Sequence, residues 1–138
     1  MKIMTIIKKI HRNDKGQSMV EMAIILPVLL LILFAIFEFG RILGAYMLIH
    51  DLARDGVRYG VVGMSDQSIK DHIMEHDSFL SISSDDINIT PSIRSLGSAL
   101  TVGIDYEIEI ITPIISSIVP NPINLRAEYV MRVEKLPQ

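Results

Sequence analysis

The sequence predicts an α+β protein: a long N-terminal helix, membrane-spanning in its first half, followed by a small outer domain of three antiparallel strands packed on helices. Three observations carry that prediction. Met22 to Phe37 is a run of 16 uncharged residues, nearly all apolar. From Arg41 to Val62 the apolar residues recur three and four apart, the period of a helix with one buried face. From Ile87 the period drops to two, as it does in half-buried strands.

Residues 1–15, MKIMTIIKKIHRNDK, interleave Ile3, Met4, Ile6, Ile7 and Ile10 with lysines, which suits a short helix at the inner membrane surface or a basic flank that sets orientation. The span follows directly. Counted from Gln17 to Phe37, with Glu21 tolerated, it covers 21 residues, enough to cross a hydrocarbon core of about 30 Å as a helix. Glu21 is the anomaly in it, because a carboxylate inside a bilayer costs at least ~2.5 kcal/mol unless it has a partner or lies at the interface. Pro27 cannot donate to the carbonyl of Ala23, so it loosens or kinks the turn, which a membrane helix tolerates. A removable secretory signal is disfavoured: the apolar run is at or beyond the usual upper length, and Phe39-Gly40-Arg41-Ile42-Leu43 after it offers no small-x-small cleavage site.

Beyond the span, Ile42, Ala45, Tyr46, Ile49, Leu52, Ala53 and Val57 share a helix face, so the anchor helix is expected to continue outward. Gly40 and Gly44, like Gly56 and Gly60, are four apart and suit close packing. After the break at Gly63-Met64, Ser65 or Asp66 is expected to cap a second helix over about Gln67 to Phe79, with Ile69, Ile73 and Leu80 turned to the core. Three alternating stretches then predict strands: Ile87, Ile89 and Ile93; Leu100 to Ile110; and Ile123 to Val133. Pro113 to Pro122 is too rich in proline for a central strand and reads as a loop with a helical turn, its isoleucines either packed under the sheet or set against a partner or the membrane. Asp105, Glu107 and Glu109 are placed to pair with Arg126 and Arg132 across an antiparallel ladder.

Charge gives the orientation. Before Gly16 five basic residues stand against Asp14, a net of +4, whereas from Arg41 onward 8 basic and 13 acidic residues give −5. Positive flanks stay in the cytoplasm, which puts the outer domain on the far side. The acidic exterior offers no basic patch for phosphates, so no nucleic acid is expected as partner. With no cysteine, the outer domain is held by packing alone.

Catalytic patterns are sparse. His72-Ile73-Met74-Glu75-His76 fits H-x-x-E-H, in which two histidines four apart share a helix face and could ligate zinc beside a glutamate base. A third ligand and a domain large enough for a substrate pocket are missing, so the two histidines are read as polar neighbours of an apolar helix face. There is no cysteine nucleophile, G-x-S-x-G or glycine-rich phosphate loop. No enzymatic activity, catalytic residue, cofactor, metal or small-molecule substrate is expected.

The order of parts is informative: a basic leader, Gly16, then Gln17-Ser18-Met19-Val20-Glu21, then the apolar run. It resembles the prepilin cleavage site of type IV pilin-like proteins. Over GQSMVEMAIILPVLLLILFAIFEFGRIL the chain is similar to the TadE-like pseudopilins of tight-adherence (Tad, or Flp) pilus systems, and Ala53-Arg54-Asp55-Gly56-Val57-Arg58-Tyr59 resembles their arginine-rich helix end. Met22 departs from the aromatic usual after the glutamate in that family.

The resemblance implies a pilin-like fold and three parts: a leader, residues 1–16, removed by prepilin peptidase between Gly16 and Gln17; a transmembrane helix, 17–40; and a periplasmic α+β domain, 41–138. Glu21 is then the processing and assembly residue, meeting the new amino group of Gln17 on a neighbouring subunit. The implied partners are the peptidase, other pilins and pseudopilins, the assembly platform and the lipid bilayer, and the implied place is the bacterial inner membrane, or the cell surface with the pilus. The rival expectation is an unprocessed single-pass protein whose outer domain binds a ligand or partner.

Overall fold

The structure, a computed structural model, describes residues 14–137. The basic leader and its expected surface helix lie largely outside the described residues. Helix α1 runs from Asp14 to Val61 with Pro27 inside it. Packing divides the chain into two units, one ending at Phe37 and the other beginning at Glu38.

In the first unit α1 is long and apolar enough to cross a membrane, and none of its most apolar stretch is buried by protein. Side chains such as Ile24, Leu29, Ile32 and Phe37 lie open. An apolar surface of this kind is stable only if something other than water covers it.

The second unit is built on the outer part of α1. Its buried residues Ala45, Ile49, Leu52, Ala53, Val57 and Val61 follow the helical period and form one wall of the core. The helix stops at Val61 because Gly63 takes a left-handed turn, φ +100°, and the carbonyl of Val61 accepts from the N–H groups of Glu134 and Lys135 instead of a further helical residue.

Helix α2, Asp66–His76, is capped at Ser65, whose Oγ accepts from the Ser68 N–H at 3.2 Å. Ile69 and Ile73 face the core. The helix is shorter than the expected reach to Phe79 because Asp77 ends it: its carboxylate takes the N–H groups of Phe79, Leu80 and Ile82, which a continuing helix would have used. Leu80 is still buried, delivered from the loop rather than from the helix.

A short 3₁₀ turn, Ser84–Asp86, leads into the sheet. Strands β1 (Ile87–Thr90), β2 (Ala99–Ile108) and β3 (Ile123–Arg132) form one antiparallel sheet in the order β1-β2-β3. The expected alternation holds. Leu100, Val102, Ile104 and Ile108 of β2 and Leu125 and Ala127 of β3 are buried, whereas Asp105, Glu107, Asn124, Arg126 and Glu128 are exposed. Strand β1 ends before Pro91, which has no N–H to offer a ladder, and Ile93, expected to belong to this strand, is open to solvent.

Of the expected cross-strand pairs one forms: Arg126 stands opposite Asp105, Nε to Oδ1 3.6 Å, while Arg132 faces Ala99 and Glu107 faces Asn124. Between β2 and β3 the proline-rich segment makes the expected helical turn, α3, Pro113–Ser116.

The second pair of glycines proves to be a packing device. A Cβ at Gly56 would sit 2.6 Å from Ile73 Cδ1, and one at Gly60 would sit 2.6 Å from Leu100 Cδ2 and 2.7 Å from Ile69 Cδ1, so both let α2 and the sheet close on α1. At Gly40 and Gly44 a Cβ would meet nothing within 4 Å.

Candidate functional site

The residues singled out in the sequence, Gly16, Gln17 and Glu21, all lie near the start of α1. Gln17 and Glu21 are one turn apart and exposed, and Gln17 Nε2 donates to Glu21 Oε1 at 3.2 Å. A neutral amide supplies a dipole rather than a counter-charge. The helix passes through the Gly16–Gln17 peptide bond without a break.

A second polar cluster lies where the apolar run ends. Glu38 is buried and Arg41, three residues on, donates to its Oε1. The same carboxylate accepts from the Ile111 N–H at 3.2 Å and, through its other oxygen, from Thr112 Oγ1 at 3.3 Å. Arg41 also donates to the Glu109 carbonyl. One ion pair on α1 therefore clasps the segment that follows β2. A buried carboxylate with three donors is well compensated, whereas the same group without Arg41 would be costly.

Residues 16–58 match the family of TadE-like proteins. The chain is TadE-like over that stretch. The match begins at the candidate cleavage glycine and takes in Glu21, the whole apolar run, the Glu38–Arg41 pair and the arginine-rich helix end. No curated protein and no solved structure matches the chain. The TadE-like stretch thus coincides with all but the first two and last three residues of α1, on a helix suited to cross a membrane once.

Sequence reasoning missed Glu38 as a contact residue. A carboxylate closing an apolar run with an arginine one turn later was the available signal, since such a charge needs a partner; its other partners lie more than seventy residues away in sequence. Arg94 was missed too. From the β1–β2 loop its buried guanidinium pairs with Asp66 at the start of α2, donates to the Met64 carbonyl at 2.6 Å and reaches the Gly60 carbonyl at 3.4 Å. It fastens the α1–α2 corner to the sheet, a cation at a helix C-terminus where the dipole favours it.

The H-x-x-E-H residues are occupied otherwise. His72 Nε2 lies 2.8 Å from Asp55 Oδ2, its ring stacks on Tyr59 at 4.3 Å, and His76 Nδ1 lies 2.8 Å from the His72 carbonyl oxygen. Among the described residues no three His, Asp or Glu side chains are grouped to hold a metal ion. The cluster ties α2 to the TadE-like helix.

Proposed function

We propose that the chain is a minor pilin or pseudopilin of a Tad (Flp) pilus, anchored in the bacterial inner membrane with its N-terminus in the cytoplasm and residues 41–138 in the periplasm. Its role is structural rather than catalytic. The observation that carries this reading is the match to TadE-like proteins starting at Gly16, with Glu21 five residues on and the apolar run behind it.

In this mechanism prepilin peptidase opens the Gly16–Gln17 bond and removes the basic leader. Gly16 suits that step, because glycine favours a helix by about 1 kcal/mol less than alanine and the first turn has few backbone bonds to lose. Cleavage creates a positive amino group on Gln17. On a neighbouring subunit in the membrane, that ammonium supplies Glu21 with the counter-charge that a glutamine amide cannot, and the saving in a low-dielectric surround favours assembly with other pilins.

The deciding experiment is the intact mass of the protein isolated from its own membranes, for the natural sequence and for Glu21→Ala. A natural chain beginning at Gln17, and a variant that stays in the membrane but assembles poorly into pili, are expected. A chain retaining its leader in cells with active peptidase would replace this reading with the unprocessed single-pass binding protein, and normal piliation by Glu21→Ala would remove the role given to that carboxylate.

A further inference from the structure

We propose that the segment Ile111–Val119 is a second membrane contact, whose isoleucines enter the interfacial zone of the leaflet facing the outer domain. This rests on the reading that α1 spans the bilayer. Ile111, Ile114 and Ile118 are 72%, 56% and 78% exposed. Packing under the sheet, one of the two roles open to them in the sequence, is therefore not what they do.

Three features select lipid as the cover. The first is position: the segment is bonded to Glu38, the residue directly after the apolar run, and Arg41 holds the Glu109 carbonyl just before it. Glu38 follows the last residue of the apolar run directly, so the segment is tied to the chain one residue from the end of the stretch proposed to span the hydrocarbon. Its other end is closed by Asn121, whose Oδ1 accepts from the Ile110 N–H at 2.9 Å.

The second is charge. The outer domain is acidic, yet from Ile110 to Leu125 there is no charged residue, which removes the main cost of entering a headgroup and acyl boundary.

The third is hydrogen bonding. Polar groups carried toward lipid must find partners within the protein. Ser116 Oγ and Ser117 Oγ both donate to the Pro113 carbonyl, at 2.9 and 2.7 Å, and the Thr112 hydroxyl is taken by Glu38. The turn presents its isoleucines outward and satisfies these hydroxyls inward.

The chain contains no tryptophan, so single replacements report cleanly. Ile118→Trp and, separately, Leu30→Trp would be placed in the full chain and reconstituted in phosphatidylcholine–phosphatidylglycerol vesicles carrying lipids brominated at graded depths. The expected result is a blue-shifted Ile118→Trp emission lost mainly to the shallowest bromines and shielded from aqueous iodide, with Leu30→Trp lost to the deepest. If Leu30→Trp is quenched at depth while Ile118→Trp answers only to iodide, the proposal is overturned and the spanning helix stands. Ile118→Trp shielded from both quenchers would overturn it in favour of a protein cover. If deep bromines fail to quench Leu30→Trp, the spanning reading falls and takes the proposal with it.

Discussion

Asp77 ends α2 by accepting N–H groups from Phe79 at 3.1 Å, Leu80 at 2.8 Å and Ile82 at 2.7 Å. Burial pushes its carboxyl up, but the N–H donors of Ile82, Leu80, Phe79 and Ser81 more than offset this and hold it below the ordinary 3.8. The folded form therefore favours the charged carboxylate. Its stabilising contribution is complete above 3.8 and fades as pH falls through the lower folded value. Asp77→Asn keeps the shape but turns an amide NH₂ toward backbone donors, and should cost about 1–3 kcal/mol near neutral pH. Chemical unfolding of both forms in detergent, repeated well below 3.8, should show the gap shrinking; a gap independent of pH would mean that the charge contributes nothing. At this scale the sequence is legible only in part. Gly16 and Glu21 stand out because a glycine and a lone carboxylate interrupt a simple pattern. Glu38 and Arg94 do not, since most of their partners lie far along the chain and only the fold brings them near; Asp77 does not either, because its donors, although only two to five residues on, turn toward it only once the helix has ended.

Elements were more legible than single residues, because periodicity is a property of many positions and survives a few exceptions. The two alternating stretches became β2 and β3 with the expected faces, and the outward continuation of the anchor helix ends at Val61. Errors fell at ends, where a local bond overrides the period: Asp77 cut α2 short, and Pro91 closed β1 before Ile93. Glycine spacing alone could not separate the two pairs on α1. Their packing separates them, and the difference is measurable. At Gly60 an added methyl meets Leu100 and Ile69, both fully buried and unable to swing aside, so overpacking of about 1–3 kcal/mol should exceed the ~1 kcal/mol gained in helix propensity. At exposed Gly44 nothing opposes that gain. Gly60→Ala is expected to lower the midpoint of thermal unfolding and Gly44→Ala to raise it; a rise in both would show that the α1–α2 contact is looser than its distances indicate.

At the scale of the whole molecule, one helix serves two environments, and the change comes within α1 rather than at its end. Up to Phe37 its apolar surface is left uncovered by protein; from Glu38 it supplies the clasp on the β2–β3 segment and then six side chains of the core, Ala45, Ile49, Leu52, Ala53, Val57 and Val61. The outer domain should therefore be separable from the membrane span but not from α1. Each buried Ile, Leu or Val contributes about 1.5–3 kcal/mol, so losing Ile49, Leu52, Val57 and Val61 removes about 6–12 kcal/mol, as much as the whole stability of a small domain, about 5–15 kcal/mol. A fragment of residues 38–138 keeps every buried residue of the second unit and should unfold in one cooperative transition by circular dichroism. A fragment of residues 63–138 keeps the sheet and α2 but exposes their inner faces, and should show no such transition. An intermediate cut, residues 42–138, removes Glu38 and Arg41 while leaving the core whole; it should fold, with amide hydrogen exchange faster at Ile111, whose N–H loses its acceptor, than in the longer fragment. Cooperative folding of the shortest piece would place the core in the sheet and α2 alone and reduce the outer half of α1 to a tether.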